Sequence, residues 1–150
     1  MGYTVPPTAV LVSKLNPQIP RVWLPDVTDA AVAVCSTEFM PFVPLVPSLR
    51  PFVFELLRSD LAQEGICSRV TGTTGSRQRA QPKEIAQMPV VGPPTQVAEL
   101  FSRTVGRLHE QVLANTQQAT TLAQARDALL PGLVSGQLAT GTIACVGGEA

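Results

Sequence analysis

TQVAELFSRTVGRLHEQVLANTQQATTLAQARDALL, residues 95–130, contains no proline and a single glycine, Gly106. Within it Phe101, Val105, Leu108, Val112, Asn115, Ala119, Leu122, Arg126 and Leu129 follow one another in alternating steps of four and three. That 3.5-residue spacing keeps one stripe turned toward a partner helix, the geometry of a coiled coil. Seven of the nine positions are apolar. Asn115 is the uncharged polar exception, and a buried asparagine can fix register at some cost in stability. At 1.5 Å per residue the helix should reach roughly 50 Å, so much of it should pack on something other than the residues before it. Thr95 reads as its N-cap with Glu99 in the first turns, and Leu130-Pro131-Gly132 as its stop.

Upstream the material changes. Thirteen of the fourteen prolines precede residue 95, and proline, without an amide donor, excludes long helices there. Val90-Val91-Gly92-Pro93-Pro94 marks the boundary. Short β-branched runs predict strands at Thr8–Ser13 (ended by Asn16-Pro17), Arg21–Leu24 and Ala31–Cys35. Phe42–Val46 is proline-broken and predicts an edge strand or extended loop. Pro51–Ser59 predicts one short helix, with proline in its first turn. The expected fold class is α+β: a small, mostly-β domain over residues 1–94, a long coiled-coil-type helix with its C-terminal turn over 95–138, and a glycine-rich flexible tail over 139–150.

Composition narrows the function classes. Eleven basic residues balance eleven acidic ones, and 45% of residues are hydrophobic, as expected of one small globular domain. No apolar window approaches 18 residues, which argues against a membrane partner, and Met1–Pro7 lacks the pattern of a secretory signal. Three widely spaced cysteines, Cys35, Cys67 and Cys145, argue against a disulfide framework or a zinc site and predict reduced thiols in the cytoplasm. Chemistry is poorly supported. The one histidine, His109, lies within the helix beside Leu108, with no HxxxH or GxSxG element alongside. Cys35 ends an apolar run, where a free thiol behaves as a small hydrophobe. Neither a catalytic residue nor a metal or cofactor site is expected.

A binding reading is better supported. Thr71-Gly72-Thr73-Thr74-Gly75-Ser76 is glycine-rich, yet it lacks the lysine of a nucleotide-triphosphate loop. From Arg69 to Lys83 there are four basic residues and no acidic one, with short hydroxyls and Gln78 interleaved. Glycine-freed amides, hydroxyls and guanidinium forks together grip phosphates, and arginine and glutamine can read guanine and adenine edges. The candidate DNA-binding residues are Thr73, Thr74, Ser76, Arg77, Gln78 and Arg79, with Lys14 and Asn16 as a further contact at a strand end. A solvated basic loop has the same composition, so spacing alone leaves both readings open.

The order of four segments adds a resemblance that runs from about Ala9 to Leu138. Cys35-Ser36-Thr37-Glu38-Phe39, then Gly72-Thr73-Thr74-Gly75-Ser76-Arg77-Gln78-Arg79, then Met88-Pro89-Val90-Val91-Gly92-Pro93-Pro94 resemble motifs of the specificity (S) subunits of type I restriction–modification systems. Leu122-Ala123-Gln124-Ala125-Arg126-Asp127-Ala128-Leu129-Leu130-Pro131-Gly132-Leu133-Val134-Ser135-Gly136-Gln137-Leu138 is similar to the end of that family's conserved helical region. The resemblance implies a non-catalytic chain that recognises half of a split double-stranded DNA target. Its partners would be methyltransferase (M) subunits, which carry S-adenosylmethionine and flip out an adenine, and motor-nuclease (R) subunits. Phe101, Val105, Leu108, Val112, Asn115, Ala119, Leu122 and Leu129 would form the helix–helix interface. The family's chains carry two recognition domains and two helices. With one helix and part of one domain, this chain would act as a half-subunit pairing with a second specificity chain, or as a remnant serving only assembly.

Overall fold

The structure is a computed structural model and describes residues 2–26, 33–71 and 78–138. The chain falls into two units, Met1–Leu108 and His109–Ala150. It is an α+β protein of small antiparallel sheets with a long C-terminal helix.

In the first unit β2 (Val10–Ser13) is the central strand. β3 (Val22–Trp23) pairs on one side of it, with Leu11 opposite Trp23. β5 (Phe39–Phe42) pairs on the other, with Leu11 opposite Pro41. A two-stranded ribbon forms from β1 (Gly2–Thr4) and β4 (Val34–Ser36), and another from β6 (Val70–Thr71) and β7 (Arg79–Ala80). Every residue of β2 is buried. Side chains alternate across a strand, so Val10 and Val12 enter one cluster while Leu11 enters another. The first cluster joins Met40, Leu57, Ile66, Ala80 and Ile85; the second joins Val5, Ala9 and Cys35. Burial on both faces explains why β2 reads as an unbroken apolar run rather than an alternating one. Pro41 is tolerated because β5 is an edge strand of its sheet; the strand ends at Phe42, the first residue of the Phe42–Val46 run that the sequence singles out.

α1 (Arg50–Arg58) forms where expected, behind a single 3-10 turn at Pro47–Leu49. Arg50 ties it down: its Nε and Nη2 donate to the Ala9 carbonyl at 3.3 and 3.2 Å, and Nη2 donates to the Pro25 carbonyl. Burial pushes this guanidinium below its ordinary pKa, and the nearby Asp26 opposes that shift. Two helices go beyond the sequence expectation, α2 (Asp60–Cys67) and α3 (Pro82–Ala86). Ser59 ends α1 and starts α2. Its Oγ donates to the Leu56 carbonyl at 2.7 Å and accepts from the Ala62 amide at 3.3 Å. Ser59→Ala should therefore destabilise the first unit by about 1 kcal/mol, read as a shifted urea midpoint with unchanged slope; Ser59→Gly should be milder.

α4 spans Thr95–Val134. Thr95 is inside the helix rather than its cap, because the Pro94 carbonyl already accepts the Ala98 amide at 3.1 Å. In the first unit α4 buries Ala98 and Ser102. Ser102 Oγ accepts the free Phe52 amide of α1 at 3.3 Å, and the Phe52 and Phe101 rings meet edge-on at 6.0 Å. In the second unit the expected stop at Leu130-Pro131-Gly132 is not the end: Pro131 lies inside the helix, which continues to Val134. Proline removes one amide donor, and one missing bond near a helix end does not terminate it. The true stop is Gly136, at φ 74°. Its amide donates to the Leu133 carbonyl at 3.2 Å while the Leu138 amide returns to the Gly132 carbonyl at 2.9 Å, a glycine-centred C-terminal cap. The expected flexible tail over 139–150 lies outside the described residues.

Candidate functional site

β2 continues beyond Ser13 as an extended edge against the foot of the basic loop. The Ala80 amide donates to the Lys14 carbonyl at 2.9 Å, and the Asn16 amide to the Gln78 carbonyl at 3.0 Å. Leu15 and Arg79 form an isolated antiparallel bridge between them. Asn16 then takes the left-handed conformation, φ 49°, which asparagine tolerates better than most residues. Its carbonyl accepts the Ile19 amide at 2.9 Å, turning the chain toward β3.

Four of the eight residues proposed to touch DNA are thus brought together: Lys14, Asn16, Gln78 and Arg79. Thr73, Thr74, Ser76 and Arg77 lie outside the described residues. Two further side chains belong to the cluster. Gln18 Nε2 donates to Gln78 Oε1. Glu38 accepts two bonds from one edge of Arg79, Nε to Oε2 at 3.1 Å and Nη2 to Oε1 at 2.8 Å. Composition within 69–83 gives no hint of this partner, because the carboxylate comes from 41 residues upstream. The pair is partly open, with the Arg79 side chain 53% and the Glu38 side chain 31% exposed. Glu38 is itself held by backbone: the Lys14 amide donates to its carbonyl at 2.9 Å.

The proposed helix–helix interface falls wholly within the described residues. In the first unit Phe101 and Leu108 are exposed and Val105 is half-buried. At about 100° per residue, Phe101 and Leu108 lie roughly a quarter-turn around α4 from the centre of the Ala98–Ser102 stripe that docks on α1, and Val105 lies beside that stripe. In the second unit Val112, Asn115, Ala119, Leu122 and Leu129 are all exposed or half-buried at most, Val112 at 63% and Leu122 at 62%. Several polar side chains along this part bond within the helix. Asn115 Oδ1 accepts from Gln111 Nε2 at 2.9 Å, the hydroxyls of Thr116, Thr120 and Thr121 donate to the carbonyl four residues back, and Arg126 pairs with Asp127.

No three His, Cys, Asp or Glu side chains among the described residues are placed to hold a metal ion. Cys35 is buried and Cys67 half-buried, both as free thiols. No described helix is long and apolar enough to cross a membrane. No family model, curated protein or solved structure matches this chain.

Proposed function

We propose that this chain is a non-catalytic DNA-specificity module of a type I restriction–modification complex, acting in the cytoplasm. It recognises half of a split target and docks methyltransferase subunits through α4. The observation that carries the reading is the exposed heptad seam of α4, a stripe of Val112, Leu122 and Leu129 with no cover in its own unit among the described residues. An apolar stripe of that spacing is satisfied by another helix laid along it. In the first unit, the foot of the glycine-rich basic loop meets Lys14 and Asn16, in keeping with phosphate contacts at that edge.

On this reading the arginines, Arg77 and Arg79 among them, and the hydroxyls of residues 69–83 hold phosphates, and Gln78 has the chemistry for a base edge. The spacer helix sets the separation of half-sites, as dimer spacing does in other DNA readers. Adenine flipping and methyl transfer from S-adenosylmethionine belong to the partner, and the motor-nuclease subunits use the same specificity for cleavage. The test is co-expression with the methyltransferase subunit of a type I system, followed by mapping of methylated adenines. Sequence-specific methylation that depends on this chain is the expected result. Arg77→Ala with Arg79→Ala should weaken binding and flatten its salt dependence, by about 0.9 in log–log slope for each phosphate no longer gripped. An unchanged slope would remove this loop from the interface.

One observation favours a second reading, an assembly module that does not read DNA. Glu38 already pairs with the Nε–Nη2 edge of Arg79, which lowers the free positive charge at the loop foot. Co-purification with the methyltransferase subunit and no methylation would select it.

A further inference from the structure

We propose that Glu38 is an internal competitor for Arg79, restraining sequence-independent grip on the DNA backbone. The inference rests on the DNA-reading proposal and adds a residue that the basic-loop reading does not contain. A carboxylate presents two oxygens to a guanidinium fork much as a phosphate does, and the two contacts of Arg79 to Glu38, at 3.1 and 2.8 Å, occupy its Nε–Nη2 edge, the side-on pair of donors a phosphate would use. The pairing is built into the backbone. Lys14 bonds to the backbone of both segments, its amide donating to the Glu38 carbonyl and its carbonyl accepting the Ala80 amide, each at 2.9 Å. The backbones of Glu38 and of the Arg79–Ala80 segment are therefore both tied to one strand extension. Both side chains are open enough for a phosphate to reach.

The strength of the pair suits a competitor. An exposed ion pair is equivalent to about a two- to five-fold change in an equilibrium constant. A DNA phosphate can thus displace Glu38, and each displacement lowers affinity by about that factor. The carboxylate left behind then faces the phosphate it was exchanged for, which adds to the penalty in the same direction. Because a phosphate contact carries no sequence information, the restraint acts on every duplex alike and keeps encounters with non-target DNA short.

The test is a cycle of four full-length proteins: the unaltered chain, Glu38→Gln, Arg79→Ala and the double variant. Each is titrated against a labelled mixed-sequence DNA duplex at several salt concentrations, after thermal melts confirm equal folding. Glu38→Gln should tighten binding about two- to five-fold. Arg79→Ala should weaken it and lower the log–log salt slope by about 0.9. In the Arg79→Ala background the Glu38→Gln effect should vanish. Glu38→Ala, which leaves no amide to hold Arg79, should act in the same direction as Glu38→Gln. Equal tightening in both backgrounds would mean general charge removal and would overturn the competitor role, as would no tightening. A chain that shows no salt-dependent binding at all would overturn the DNA reading itself, an outcome distinct from either of those.

Discussion

Replacing Leu11 with alanine should lower the unfolding free energy of the Met1–Leu108 unit by about 2–5 kcal/mol, the range for emptying a fully buried leucine site. Leu11 is 1% exposed and sits in the middle of β2, hydrogen-bonded through its neighbours to strands on both sides. Its side chain enters the cluster of Val5, Ala9 and Cys35, with Phe39 packed against it. Two strands fix the backbone around the site, so the surroundings have little freedom to collapse into the space. Against a total stability of about 5–15 kcal/mol, typical of native domains, the loss is a large fraction. Trp23, the one tryptophan of the chain, lies opposite Leu11 in the register and reports the transition by fluorescence. Urea titration should give a much lower midpoint for Leu11→Ala. Leu61→Ala, at a residue 70% exposed, should change stability by less than about 0.5 kcal/mol. Equal losses at both sites would mean that β2 is not the centre of the unit.

The second large effect falls on association and leaves folding alone. Val112→Asp together with Leu122→Asp should leave far-ultraviolet circular dichroism and the urea transition unchanged, because both residues are exposed and neither belongs to the two buried clusters. Burying each of these side chains against a partner helix contributes about 1.5–3 kcal/mol. Losing both amounts to roughly 3–6 kcal/mol, or about two to four decades in Kd. Two carboxylates at a dry seam would add desolvation to that loss. Sedimentation of the purified pair should show the methyltransferase subunit bound by the unaltered chain and released by the double variant. Retained binding would place the docking surface elsewhere and withdraw the seam from the proposal.

Local pattern carries the long helix and most of the central sheet. A proline-free stretch with 3.5-residue apolar steps can be little else than a helix, and β2 announces itself by Ala9-Val10-Leu11-Val12. The departures are equally physical. Pro131 reads as a stop because proline is costly in mid-helix; three residues from the end it removes a single bond, and Gly136, able to take positive φ, closes the helix. α2 is hidden because Ser59 reads only as the last residue of α1, whereas its hydroxyl also begins the next helix. At the candidate site, the nearness of Lys14 to Arg79 and the hold of Glu38 on Arg79 are products of strand pairing between distant segments. No periodicity in either segment encodes that meeting.

The side chain of Asn115 enters any helix pairing already hydrogen-bonded to Gln111. An asparagine in a coiled-coil seam enforces alignment because a mismatched neighbour leaves its amide stranded. Here the amide oxygen keeps a bond whichever residue lies opposite, so the penalty for misalignment is blunted. A neighbouring rod slipped by one heptad would move about 10 Å along α4, the rise of about three base pairs of duplex. On the proposed reading, the fidelity with which a target's two halves are measured would therefore rest on the shapes of Val112, Leu122 and Leu129 rather than on the polar residue among them.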